Sequence, residues 1–140
     1  MNIADFLNAH YRHLSDADLL FRNKPSRLAN ADHLYGMAAE CGLKRLMCAF
    51  GMTIRESDGA PVKKEDRVHI DKVWMRYATY CSGTNGQIYG LSNSDPFTDW
   101  KVEQRYEQEE NFDFARVEPH KKAAHEISKI VKRATIEMGW

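Results

Sequence analysis

The sequence predicts an all-α fold, an antiparallel four- to five-helix bundle with an irregular insert before the last helix. Three observations point there. Apolar residues recur at three- and four-residue spacing in separate stretches, the repeat of helices that bury one side. The breaks between those stretches carry Pro, Gly, Asn and Ser, the residues that turns require. A chain of 140 residues suits one domain with a real core, so 1–140 reads as a single bundle.

Asn2 is placed to cap the first helix, with Asp5 favouring its first turn. Ile3, Phe6, Leu7, His10, Leu14, Ala17 and Phe21 then hold one face until Pro25 and Ser26 break the run. The second helix is expected over 27–50, stopping near Gly51. Leu28, Ala31, Leu34, Tyr35, Ala38, Ala39, Leu43, Leu46 and Phe50 cover more than half its circumference, which predicts a central position. Gly36 and Gly42 each cost roughly 1 kcal/mol of helix propensity relative to Ala, so close packing against them is expected as compensation.

Residues 53–67 read as loop around Gly59 and Pro61. A third helix over 68–81 follows from Ile70, Val73, Trp74, Tyr77, Tyr80 and Cys81. The stretch GTNGQIYGLSNSDPF is too rich in Gly, Asn and Ser to stay regular. In DWKVEQRYE, Trp100, Val102, Gln104 and Tyr106 alternate with charged residues, a period of two that reads as extended or irregular. Pro119 suits the first position of the last helix, which runs to about Met138 with Ala123, Ala124, Ile127, Ile130, Val131 and Ala134 inward.

Bulk properties narrow the function. Twenty basic residues balance twenty acidic ones, so no global field gathers nucleic acid and any such binding needs local patches. Cys41, Cys48 and Cys81 are odd in number and form no C-x-x-C pair, which argues against a disulfide framework and a Cys-rich zinc site. The opening MNIADFLNAHYRHL lacks the pattern of a signal peptide, and no apolar run is long enough to span a membrane, so a cytoplasmic setting is expected. Phosphate-cradling glycine motifs, the G-x-S-x-G elbow and H-E-x-x-H are absent. No cofactor and no metal are implied. His10 and His13 are spaced too commonly to count as ligands, and Cys41 and Cys48 read as small core residues.

Two constellations remain. Asp32, Gly36, Glu40 and Lys44 fall at successive i+4 positions, a narrow polar stripe with His33 beside it. Glu40 four residues before Lys44 is the favourable order for an ion pair. The stripe is either a solvated seam closed by that pair or a polar wall facing a cleft. On the last helix, His120 is in phase with Ala124, Ile127, Val131 and Ala134, so it opens the buried face. At a helix N-terminus the dipole would lower its pKa. Arg116 lies four residues earlier and Arg105 further upstream. A proton-exchanging histidine beside a phosphate-gripping arginine is the minimum for metal-independent phosphodiester chemistry. The alternative is a histidine that caps or lines the core edge.

The stretches NADHLYGMAAECGLKRLM and DWKVEQRYE…ARVEPHKKAAHEISKIVKRA resemble the HEPN-domain family, small helical bundles of prokaryotic toxin and defence systems. The resemblance implies an all-α fold that often dimerises and, in active members, a metal-independent ribonuclease. The family motif is an Arg, four to six residues, then a His at the start of the final helix. Arg116 and His120 occupy that location, although only Val-Glu-Pro separates them. The resemblance thus casts Arg116, His120 and Arg105 as catalytic. Asp32, His33, Glu40, Lys44, Lys121 and Lys122 would bind RNA or a cognate antitoxin protein, in a homodimer. Other members are inactive binding or scaffold modules, which is the rival expectation.

Overall fold

A computed structural model describes residues 5–82, 85–91 and 94–140. Among the described residues four α-helices make up an all-α bundle: α1 (Phe6–Arg22), α2 (Leu28–Ala49), α3 (Ile70–Cys81) and α4 (Phe114–Met138). Short 3-10 turns lie at Lys64–Asp66, Asn85–Tyr89, Val102–Tyr106 and Glu109–Asn111. Among the described residues the one piece of extended pairing is an isolated bridge between Ile54 and Pro61. None of their helices is long and apolar enough to cross a membrane.

The α2 helix is the hub, packed against α1, α3 and α4, as its nearly all-round apolar surface requires. Its buried Tyr35, Ala38, Ala39, Leu43, Leu46 and Met47 meet Leu14 and Ala17 of α1, Ile70, Val73 and Tyr77 of α3, and Ile127 and Val131 of α4 in one cluster. Small residues set how closely these neighbours approach. A Cβ on Gly42 would stand 2.8 Å from both His10 Nδ1 and Ile127 Cγ2. The His10 ring fills that gap and donates from Nδ1 to the carbonyl of Ala38 at 2.7 Å. Burial lowers its pKa, so the ring is neutral, a core histidine.

Helix ends depart from the sequence expectation in instructive ways. The Asp5 side chain caps α1 by accepting from the Asn8 N–H at 2.9 Å; the expected cap, Asn2, lies outside the described residues. No local side chain caps α2. The Glu109 carboxylate does so from far along the chain, accepting from the N–H groups of Leu28 at 2.8 Å and Ala29 at 3.1 Å. The last helix begins at Phe114, not Pro119, because the Asp113 side chain accepts from the Arg116 N–H at 2.8 Å and starts the helix earlier. Pro119 therefore sits inside α4, where its missing N–H leaves the Ala115 carbonyl without a helical donor. Gly139, at φ 77°, ends α4 in the left-handed conformation that glycine adopts without strain.

The stretch expected to be extended or irregular forms a short 3-10 turn. Gln104 N–H bonds the Lys101 carbonyl at 3.1 Å, and the Gln104 side chain accepts from the Lys101 N–H at 3.1 Å. With three residues per turn the alternation breaks down: Trp100 and Gln104 are buried, while Tyr106 is exposed.

Candidate functional site

The buried polar stripe of α2 is covered by the insert. Asp32, Gly36, Glu40 and Lys44 share one face of α2, as the spacing required, and all four are buried. The solvated-seam expectation is thereby corrected. Trp100 lies flat against Gly36, where a Cβ would come within 2.1 Å of the indole. Its Nε1–H donates to the Asp32 carbonyl at 3.0 Å. The Gln104 side-chain amide donates to Asp32 Oδ2 at 2.5 Å, so one residue of α2 receives two groups from the insert.

The other Asp32 oxygen receives His120. Nδ1 of His120 lies 2.6 Å from Asp32 Oδ1, and Nε2 lies 2.8 Å from Asp99 Oδ1. Phe97 stacks on the ring, with centroids 5.1 Å apart and planes 14° apart. The imidazole is 1% exposed. With a carboxylate at each nitrogen, both nitrogens donate and the ring is an imidazolium. Burial opposes that charge, but the hydrogen bonds and charges of Asp32, then of Asp99, outweigh it and raise the pKa above the usual 6.5. The sequence expectation of a lowered pKa is corrected. His120 is seven residues into α4, where two carboxylates outweigh the helix dipole.

The expected arginines face elsewhere. Arg116 is helical, where the sequence placed it in the irregular segment. Its guanidinium bonds Glu107 Oε2 at 3.0 Å and the Asn111 carbonyl at 3.0 Å, and lies over the Phe112 ring at 4.0 Å. Arg105 bonds the hydroxyl of Tyr106 at 3.0 Å on the surface. Neither is a hydrogen-bond partner of His120, whose two nitrogens are taken by aspartates. The structure thus brings Asp32 and His120 together and leaves Arg105 and Arg116 out of that contact.

Further along the stripe, Glu40 Oε2 pairs with Lys44 Nζ at 3.1 Å, as the i+4 order predicted. Its Oε1 bonds Nδ1 of His69 at 2.9 Å. That hydrogen bond, against a smaller desolvation effect, raises the His69 pKa. His33 stacks on the indole of Trp100 at 5.9 Å and 12°. Burial, then Arg105, holds its pKa below the ordinary value. Lys121 lies over the Phe21 ring at 4.1 Å, and Lys122 lines a small surface cleft of about 130 Å³ beside Pro119. Burial pushes the Cys41 thiol up to about 12, consistent with a core residue. Among the described residues no group of three or more His, Cys, Asp or Glu side chains is placed to hold a metal ion.

Sequence reasoning missed Asp99, Trp100 and Gln104. Asp99 looks like ordinary surface polarity, and Trp100 and Gln104 were read as beats of an alternating segment. Nothing local ties them to α2, more than sixty residues away. No protein-family model, curated protein or solved structure matches the chain.

Proposed function

We propose that the chain is a HEPN-like, non-catalytic binding module that works by holding a protein partner in a prokaryotic defence or toxin–antitoxin system. One observation carries this reading: His120, the histidine at the family's catalytic location, is buried with both nitrogens engaged, by buried Asp32 and by Asp99. A general acid or base must come within hydrogen-bond reach of the proton it moves. This ring reaches aspartates, and Arg116 is engaged by Glu107, so transition-state charge on a phosphate would find neither group free.

The surface beside the lock fits recognition. Arg105 packs on Tyr106, Arg116 on Phe112, and exposed Phe114 meets Phe21 edge-on at 5.5 Å. Arginine and aromatic side chains held in place by one another are the residue types that dominate protein interfaces.

The test is incubation of the purified protein with structured RNA in chelator, beside His120→Gln and Arg116→Ala. The expected result is no cleavage above a protein-free control for any of the three. Cleavage by the wild type that disappears in folded His120→Gln overturns the reading and restores the ribonuclease one. Co-purification with products of adjacent genes is expected to be lost on the double change Arg105→Glu, Tyr106→Ala; retention removes this surface from the proposal.

A further inference from the structure

A second feature adjoins the Asp32–His120 contact through Phe97, whose ring stacks on His120 and whose N–H bonds Asp95. Between α3 and residues 87–91 and 94–95 is a cleft of about 550 Å³, within the size range of small-molecule sites. Trp74, Met75, Ala78 and Cys81 give it an apolar wall along one side of α3, faced by Leu91, and the neutral polar side chains of Ser82, Gln87 and Ser94 complete the lining. Its floor is rigid, because the Tyr77 hydroxyl donates to the Tyr89 carbonyl at 2.7 Å and ties the segment to the helix. Met75 is exposed, so the α3 side of the cleft is open to a ligand.

One charged side chain lines this cleft, Asp95. Its Oδ1 accepts from the Phe97 N–H at 2.8 Å, the one hydrogen bond its carboxylate makes among the described residues. No lysine or arginine lines the cleft to balance it. Burial, then the charges of Asp71 and Asp99, raise the Asp95 pKa, opposed by the Phe97 N–H and by His120. The negative charge here is under-compensated.

We infer that this cleft is a binding site for a small organic cation, an amine or ammonium carried on an apolar body, with Asp95 pairing the charge and Trp74 and Leu91 covering the body. A largely apolar slot with a single carboxylate selects by charge at that group and by shape elsewhere. A neutral analogue keeps the apolar contacts and forgoes the ion pair. An anionic analogue meets Asp95 as a like charge. The site is separate from the partner surface proposed above, and its test does not depend on whether RNA is cleaved.

Titration calorimetry with 4-phenylbutylamine, 4-phenylbutanol and 4-phenylbutanoate tests it, since the three share one body and differ in charge. The amine is expected to bind roughly tenfold more tightly than the alcohol, and the carboxylate most weakly. Asp95→Asn is expected to erase the amine's advantage while leaving the alcohol within about twofold. Ala78→Trp, which fills the slot, is expected to abolish binding of all three, with an unchanged circular-dichroism spectrum confirming the fold. Absence of amine binding at millimolar concentration, equal binding of the three probes, or an amine advantage that survives Asp95→Asn overturns the inference. If Asp95→Asn does not fold, the order of the three probes on the wild type and the Ala78→Trp result decide it.

Discussion

Asp32 and Glu40 lie about two turns apart on one face of α2, and each holds a histidine from another element. The resemblance ends there. Asp32 is fully buried where Trp100 and Gln104 bond it, and its His120, stacked on Phe97, is 1% exposed. Glu40 is also buried, but His69 keeps 46% of its side chain in solvent. The same carboxylate–imidazole chemistry is thus a lock where the insert covers it and an open ion pair where it does not. Cover, more than residue type, decides the role, because burial removes the water that would otherwise stabilise either charge alone.

The comparison breaks most visibly at His120. His120→Ala leaves Asp32 buried with Gln104 as its remaining side-chain partner, and is expected to cost about 3–5 kcal/mol in urea unfolding. Adding Asp32→Asn should recover part of that loss, since it removes the stranded charge. A loss below about 1 kcal/mol for the single variant would mean that water reaches Asp32 and that no lock exists.

Gly36→Ala tests the cover itself. A methyl group here meets the Trp100 indole, so the expected loss is about 1–3 kcal/mol, with tryptophan fluorescence shifted to the red. Unchanged fluorescence would show that the indole does not rest on α2.

The smallest effects separate the two histidines. His120 has a raised folded pKa, so its contribution is complete below the ordinary 6.5 and fades as pH rises through the folded value. The stability difference between wild type and His120→Gln should therefore shrink as pH rises above the ordinary 6.5; a difference that grows instead contradicts the imidazolium. His69, raised by Glu40, has the same sign, but solvent screens it, and His69→Ala is expected to cost no more than about 1 kcal/mol. A larger loss there would erase the contrast between lock and open pair.

Much of the frame was legible in residue spacing. Helix α2 was expected to be central, and it is, since nothing but burial suits a helix apolar over most of its circumference. His120 was expected on the inner face of α4 from its phase with Ala124 and Ile127, and it is buried there. The Glu40–Lys44 pair followed from i+4 order. What failed were inferences about partners. Pro119 was read as a helix start because a local rule fits it, but Asp113, a better cap, lies six residues upstream. The arginine beside His120 was inferred from nearness in sequence, yet on α4 the Arg116 side chain reaches back to Glu107 and Asn111.

The sequence by itself determined the helices, their buried faces and the polar stripe on α2, because those depend on periodicities that a chain carries locally. The tertiary structure alone decided that Glu109 caps α2, that Trp100 closes over Gly36, and that Asp99 rather than an arginine meets His120. Each of these joins residues far apart in the chain, and such a contact depends on how an irregular segment folds back. The charge state of His120 follows from that same choice, since the charges that the fold places against a buried imidazole decide whether it holds a second proton.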